Sequence, residues 1–496
     1  MRGTLIINFD SIDFKGGDYY NVKVNNQNRY IHYNSTNNLY NTFLQDGDVV
    51  NITSNNNCDW DVVRKDFTTD DQGGDQGIRN TTITGVSNST GVTFTASTIP
   101  QNYNFHYIIG VETLPPPSGN CMTIGTGFTT QAEAIKQQST GKYIIGGGLS
   151  RYSGQTISGV TRLNTSGTLD STYTQNSLSI GGIFGAMYVN NDDSIVVGSF
   201  TGPIWTAKYN SNGTVDTGFT QLNKTAGSGN NGLLSIEKQS TGKYLVGGQF
   251  QNFGTGATEN YKTLGRLNSN GTIDTTFNTG LTSTSLGFSG LSSEIVQIYV
   301  YNDDKFLVCG DWVSFGGSVF YKRGLMKFNA NGTEDTTFAN GAFNSKVFSF
   351  GFQSDGKIIL GGTSITTYSG QSINRICRLN SNATLDNTFL TGLTGSPFIS
   401  TIVVQPDNKI LVGGRTNNYN GSFGITVGMF RLNSDGSLDT SFTLTPINAL
   451  GSFSKILLDQ DGGIAVVGNF NISTVTPTIN DFAKFDNNGN LITNNC

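Results

Sequence analysis

The sequence predicts an all-β protein, a ring of similar sheets behind a smaller β-sandwich, on three observations. The first is a repeat. Aligned on the second glycine of a Gly-Gly pair, the chain places Gly147, Gly198, Gly248, Gly310, Gly362, Gly414 and Gly468 in register, at intervals of 51, 50, 62, 52, 52 and 54 residues. A period of that size signals a repeat architecture and outranks any local motif. The second is a short apolar run ahead of each pair, such as Ile358-Ile359-Leu360 or Ile410-Leu411-Val412, introduced by turn formers such as Ser354-Asp355-Gly356. Such a run reads as a strand buried on both faces. The third is composition: 13% charged residues, 35% hydrophobic residues and 64 glycines suit turn-rich β structure with a weakly charged surface. Seven units of about fifty residues, each with about four short strands, make a seven-bladed β-propeller.

Within each unit the parts follow a fixed order. The glycine pair removes Cβ atoms where another backbone comes close, as at a crowded central axis; in three copies its first member is replaced by Val197, Cys309 or Val467. A cation, an apolar residue and Asn or Asp come next: Arg162-Leu163-Asn164, Lys208-Tyr209-Asn210, Arg266-Leu267-Asn268, Lys327-Phe328-Asn329, Arg378-Leu379-Asn380, Arg431-Leu432-Asn433 and Lys484-Phe485-Asp486. In the first six copies an aspartate stands eight residues beyond the cation (Asp170, Asp216, Asp274, Asp335, Asp386, Asp439). Three residues further is an aromatic: Tyr173, Phe219, Phe277, Phe338, Phe389 or Phe442. The fixed interval predicts that cation and aspartate meet across the turn or across neighbouring units. The aromatic is expected to plug the seam between sheets. Residues present in every repeat usually build the repeat, so all of these read as structural.

This grammar resembles the delta-60 repeat family, propeller-forming repeats of bacterial surface proteins and bacteriophage proteins. The resemblance rests on Gly-Lys-aliphatic-Gly-Gly, Arg-Leu-Asn and Gly-(Thr/Ser)-(Leu/Ile)-Asp-Thr-(Thr/Ser)-Phe, and covers about residues 121–496. The last copy departs, because Gly489-Asn490-Leu491-Ile492-Thr493-Asn494-Asn495 lacks both the Asp and the Phe. The resemblance implies a fold and says little about an activity. Ahead of the first unit, Thr123-Ile124-Gly125-Thr126-Gly127-Phe128 copies the end of a repeat, so this segment, with Phe128, is expected to complete the final blade. The 62-residue interval places an insertion around Gly280–Gly290.

Residues 1–114 do not carry the repeat. Alternating segments at Leu5–Phe9, Tyr19–Val24, Tyr30–Tyr33, Asp48–Ile52, Trp60–Val63, Val92–Ala96 and Asn104–Val111 predict a small antiparallel sandwich of immunoglobulin-like size. Pro115-Pro116-Pro117 stiffens a linker over 115–120, and the propeller is expected over 121–496. The start, MRGTLIINFDSIDF, has an apolar run of only three residues and does not read as a signal peptide. No stretch is long and apolar enough to span a bilayer. The net charge of −5, with no lysine–arginine cluster, argues against nucleic acid. Five cysteines at no metal spacing argue against a disulfide framework. Cys121 and Cys496 bracket the ring, and closure brings them near each other, whereas reduced synthesis favours free thiols.

The sequence carries no catalytic constellation, metal motif or cofactor loop. His32 and His106 have no ligand at coordinating spacing. Asn268-x-Asn270-Gly271-x-x-Asp274 lacks the acidic ligands of a calcium loop. A second periodic feature is the better candidate for function. Tyr152, Phe253, Phe315, Tyr368 and Tyr419 fall in hairpin turns after the double glycine and are expected on one rim, where exposed rings would stack on sugars. The competing reading is that each covers its own hairpin. The function expected is a non-enzymatic binding or structural component of a bacteriophage virion, made in the host cytoplasm and part of an oligomeric assembly. Residues 1–114 would dock on other virion proteins, and the propeller would meet a host-surface glycan or receptor. The alternatives are a bacterial surface adhesin and a carbohydrate-active enzyme, the latter resting on non-repeat residues such as Glu294, Asp311, Arg323 and Arg415 converging.

Overall fold

In a computed structural model the chain divides into two compact units, one built on residues 1–120 and one beginning at Cys121. The structure describes strand backbone within residues 3–113. It then describes 124–175, 185–200, 203–224, 232–250, 253, 263–277, 293–312, 324–338, 341–389, 392, 398–415, 428–447, 451–460 and 462–493, with four further two-residue strands between 314 and 423. Every regular element described is a strand.

Among the described residues, the first unit holds ten strands in two five-stranded sheets. One runs in the order Thr42–Leu44, Gly3–Leu5, Tyr103–Thr113, Cys58–Thr68, Arg79–Thr82, and the other Gln27–Arg29, Tyr20–Val24, Val49–Ser54, Gly91–Thr95, Val86–Asn88. The expectation of a wholly antiparallel sandwich is corrected at one pair: Gly3–Leu5 lies parallel to Tyr103–Thr113. An alternating sequence pattern reports which residues share a face and is blind to strand direction, so this pairing left no trace in it.

The second unit is a closed ring of seven sheets, numbered here as blades 1 to 7. Their first strands are Ala132–Gln137, Met187–Val189, Gly232–Lys238, Glu294–Val300, Val347–Phe352, Phe398–Val404 and Ser452–Leu458. Each first strand packs against the first strand of the next blade, and Ala132–Gln137 packs against Ser452–Leu458 to close the ring. These are therefore the inner strands around the axis. The apolar runs before the glycines form the second strands, and Tyr143–Gly147 and Ile358–Gly362 are buried at every residue. The third strands (Val160–Leu163, Leu264–Leu267, Ile376–Leu379 and their counterparts) end at the repeat's Asn-turn. The expected fourth strand is mostly reduced to one bridge, as in Leu163↔Leu169 and Leu379↔Leu385, because the tight turn leaves room for a single pairing. Blade 2 alone among the described sheets has four strands, the last being Leu222–Asn223.

The tail aromatic does sit at the seam. Phe277 is buried 6.3 Å from the ring of Phe306 in the next blade, and Phe219 meets Tyr244 of its next blade at 6.2 Å. Over the ring of Phe277 lies the repeat arginine Arg266, 4.6 Å from the centroid.

Phe128 plays a different part from the one its sequence suggests. Its N–H donates to the Asn480 carbonyl of blade 7 at 3.1 Å, while its ring packs on Tyr152 of blade 1 at 4.7 Å. Phe343 and Tyr368 repeat that ring contact at 4.7 Å on entry to blade 5. The segment is thus the entry to blade 1 and staples it to the last blade. Blade 7 keeps its own tail: Leu491 bridges Phe485, and Asp486 Oδ1 accepts from the amides of Asn488 and Asn490. Cys121, Cys496 and the insertion around Gly280–Gly290 lie outside the described residues, while Cys309 and Cys377 are free and buried.

Candidate functional site

Each inner strand has two ends, and the repeat residues crowd one of them. There Arg162 Nε bonds Asp170 Oδ2 at 2.7 Å, and Arg266–Asp274, Arg378–Asp386 and Arg431–Asp439 do the same at 2.7, 2.9 and 2.7 Å. The other arm of each guanidinium crosses the seam. Arg162, Arg266, Arg378 and Arg431 donate through NH1 to the carbonyls of Ser211, Ala330, Ser434 and Asn487 in the following blade. A planar fork with several donors can serve two partners at once; an ammonium cannot do so in one plane. The carboxylate also binds a second cation, Lys142 at 2.8 Å on Asp170 and Lys243 at 2.9 Å on Asp274. Burial works to raise these aspartates, but the lysine bonds, the threonine bonds and the arginine hold Asp170, Asp274 and Asp386 well below the usual carboxylate range. Their stabilisation is therefore complete above that range and is lost as pH falls below it, through the depressed values of the folded state.

A covariation within the chain explains which cation is used. In blades 1, 3 and 5 the arginine also donates to a glutamine that opens the blade's first turn, Gln138, Gln239 or Gln353, at 3.1, 2.9 and 3.1 Å; blade 6 has Gln405 at that place. In blades 2 and 4, where the cation is Lys208 or Lys327, the place is taken by Asn190 and Tyr301. Asn190 Oδ1 accepts from Lys238 and from Tyr244 of the next blade, both at 2.8 Å, and Lys327 lies over the Tyr301 ring at 4.5 Å. Most of these contacts hold one blade to the next.

The opposite end of the inner strands differs in every blade. The carbonyls of Gln131, Gly232, Glu294, Lys346, Phe398 and Ser452 lie where a Cβ on Gly147, Gly248, Gly310, Gly362, Gly414 and Gly468 would be. In these six blades the second glycine is required by a close approach within the blade, whereas in blade 2 a Cβ on Gly198 would meet Leu233 of the next blade and Ala186 of its own. Two residues on from each of those six carbonyls, the strand bulges, at Glu133, Leu234, Val296, Phe348, Ser400 and Ser454. A bulge leaves its extra residue outside the ladder and re-aims the side chain.

On blades 4 to 6 these positions form one cluster. Lys346 Nζ pairs with Glu294 Oε1 of the preceding blade and lies 4.0 Å from the centroid of Phe348. Phe348 meets Phe398 of the following blade at 5.1 Å, with the ring planes at 62°. Asp311 is the register partner of Glu294, and Arg415 that of Phe398. Phe398 is 38% exposed, the one large apolar side chain among the described residues to be so. Glu294, Asp311 and Arg415 were visible as non-repeat residues. Lys346, Phe348 and Phe398 were not, although Glu294, Lys346 and Phe398 each stand sixteen positions ahead of the second glycine of their blade. Arg323 lies outside the described residues.

The three hairpin aromatics whose side chains are described do not form an exposed rim. Tyr152, Phe253 and Tyr368 are 2%, 0% and 3% exposed. Tyr152 donates its hydroxyl to the Gly167 carbonyl at 2.5 Å, and Tyr368 donates to that of Ala383 at 2.7 Å while accepting from the Gly341 amide at 3.0 Å. Phe253 is enclosed by Trp205 and Phe250. A tyrosine in a hairpin can satisfy its hydroxyl on its own blade and then buries its ring; these three are core. The side chains of Phe315 and Tyr419 lie outside the described residues.

The inner strands also carry charge. Lys455 of blade 7 reaches past blade 1, so that a Cβ on Gly185 of blade 2 would lie 3.0 Å from its Cε and 3.5 Å from its Nζ. Burial lowers the affinity of Lys455 for its proton, and Lys136 lowers it further. Burial raises Glu237, an effect that Lys136 opposes. Glu133 has a buried Oε2 without a hydrogen-bond partner, and burial pushes its carboxyl up to about 8. Among the described residues no group of His, Cys, Asp and Glu is arranged to hold a metal ion.

Four segments, 138–173, 239–277, 353–389 and 405–442, match the model of a family described as "Domain of unknown function (DUF5122) beta-propeller". They are the four blades that pair glutamine with arginine, and each match begins at that glutamine and ends at the tail aromatic. The matched segments are thus similar to the repeats of a β-propeller family, in keeping with the ring of sheets. No curated protein matches the chain. Among solved structures, the extracellular domain of a hybrid two-component system from B. thetaiotaomicron is 14% identical, with a TM-score of 0.41, over 69% of this chain and 39% of that one. The Neurospora crassa Pan2 WD40 domain is 11% identical, with a TM-score of 0.39, over 73% and 91%. A quinonprotein alcohol dehydrogenase-like protein from Bacteroides thetaiotaomicron is 12% identical, with a TM-score of 0.33, over 96% and 88%. The chain thus spans about two fifths of the length of the first of these.

Proposed function

We propose that this protein is a non-enzymatic binding module that engages its partner through the rim of blades 4 to 6. The observation that carries this reading is the cluster of Glu294, Lys346, Phe348, Phe398 and Arg415. It joins an exposed ring to charged groups, and its residues break the repeat where the rest of each blade keeps it. The finer proposal is a bacteriophage virion component, with residues 1–114 contacting other particle proteins and the rim meeting the host surface. Its support is the repeat resemblance together with the sparse charge of the chain. The test is binding of the full chain to host cells. Phe398→Ala with Arg415→Gln should abolish it while Tyr152→Phe leaves it intact, and undiminished binding by the double variant rejects the rim. Mixing the full chain with particles lacking it tests the virion placement, which fails if no association occurs.

A second reading follows from the register of Glu294 with Asp311, since paired carboxylates are what glycosidic hydrolysis requires. Lys346 already occupies Glu294 in an ion pair, which favours the binding reading. Release of reducing sugar from host-surface polysaccharide by the full chain, lost in Glu294→Gln, would reverse that preference.

A further inference from the structure

We propose that the ligand of this rim is a carboxylate-bearing sugar, its ring lying on Phe398 and its carboxylate on Arg415; this rests on the binding reading above. Phe398 keeps 38% of its surface open and touches Phe348 at a steep angle rather than face to face. An exposed aromatic of this kind offers the apolar side of a sugar ring a flat partner, where an aliphatic side chain would not. Arg415 is its register partner across an antiparallel pair, and side chains so placed share one side of the sheet with Cβ atoms about 4.5–5.5 Å apart. That spacing matches one sugar residue.

Charge then selects the class of sugar. The four repeat arginines are each committed to an aspartate. Arg415, by contrast, is exposed and makes no hydrogen bond or ion pair with any described residue. Lys346 is neutralised by Glu294, and Asp311 stands with Glu294 on blade 4, two blades from Arg415. The uncommitted charge beside the platform is therefore a guanidinium, whose planar fork matches a carboxylate through two parallel bonds. A neutral sugar would leave that fork unused.

Calorimetry on the full chain tests the assignment with four probes: polygalacturonate, polysialic acid, carboxyl-reduced polygalacturonate and polyglutamate. The first two distinguish a uronic from a sialic source of the same carboxylate. Binding to at least one of them is expected, weakened about tenfold or more in Phe398→Ala and in Arg415→Gln, each with an unchanged thermal midpoint. Carboxyl reduction of polygalacturonate should weaken binding comparably if the source is uronic. That comparison needs no variant, so a misfolded mutant does not blunt it. Measurable and equal binding of native and reduced polygalacturonate overturns the acidic-sugar assignment and leaves the rim as a binding site. Binding to polyglutamate that survives Phe398→Ala, or no binding to either acidic polysaccharide, also overturns it. Host-cell binding indifferent to both substitutions removes the rim reading itself.

Discussion

The two ends of each inner strand obey opposite rules. At one end the same few side chains recur from blade to blade: a cation, an aspartate eight residues on, an aromatic three beyond that. At the other end the backbone recurs while the side chains do not, so that Glu294, Lys346 and Phe398 occupy equivalent places on successive blades. The first end closes seams with Arg266 and Asp274 and their counterparts. The second uses the glycine and the bulge as a fixed mount and changes what is mounted. Repetition of side chains here marks what builds the ring, and repetition of backbone without side chains marks where the ring can be specific.

That contrast can be attacked at its strongest point first. Phe277→Ala should cost about 3–5 kcal/mol, read as a lower denaturant midpoint, because the ring fills a seam between two blades and sits under Arg266. An unchanged midpoint would mean that the aromatic end does not hold the ring. A smaller effect tests the covariation of cation and turn residue. Lys208→Arg alone should destabilise, since Asn190 is engaged by Lys238 and Tyr244 and offers no glutamine carbonyl. Adding Asn190→Gln should recover about 1 kcal/mol in a double-mutant cycle. Strict additivity of the two changes would show that the pairing is incidental.

The pH dependence separates the two ends by sign. Glu133 stands at a bulge with its carboxyl raised to about 8 by burial, so the folded protein holds a proton that the unfolded chain releases in the ordinary carboxylate range. Its contribution is complete below that range and is lost as pH rises through about 8, the reverse of the latch aspartates. Glu133→Gln should flatten the fall in stability between about pH 5 and 9; an unaltered slope would place the loss elsewhere. The smallest expected change is Phe398→Ala, within about 0.5 kcal/mol of the parent, because this is the one large apolar side chain exposed among the described residues. A large loss would make Phe398 a structural residue and weaken its role in binding.

Much of the ring was legible because it is periodic. Glycine spacing yields seven sheets, and the eight-residue interval yields the arginine–aspartate bonds, which form within the blade exactly where the turn brings them back. What the sequence concealed is contact across distance. Tyr152 and Tyr368 look like hairpin tips until Gly167 and Ala383, fifteen residues on, are seen to accept their hydroxyls. Phe128 looks like a tail aromatic because its neighbours match one, yet its partners are Tyr152 and a carbonyl at the far end of the chain. The rim residues escaped for the opposite reason. An alignment of repeats discards positions that vary, and Glu294, Lys346 and Phe398 share an offset from glycine but no chemistry.

The staple between Phe128 and Asn480 also sets a clock. Asn480 Nδ2 donates to the Thr126 carbonyl at 2.7 Å, joining residues 354 apart in the chain. At about 5–20 residues per second, the ribosome needs roughly 18–70 s to supply the second half of that bond after the first has emerged. Throughout that interval blade 1 has its neighbour on one side only. Ala132–Gln137 waits with the surface that will receive Ser452–Leu458 turned to water, Ala132 and Ile135 among it, where the last blade of another copy could also dock. Crowding of nascent chains on one message would therefore favour exchange of the last blade between copies, and slower initiation would favour rings that close on themselves.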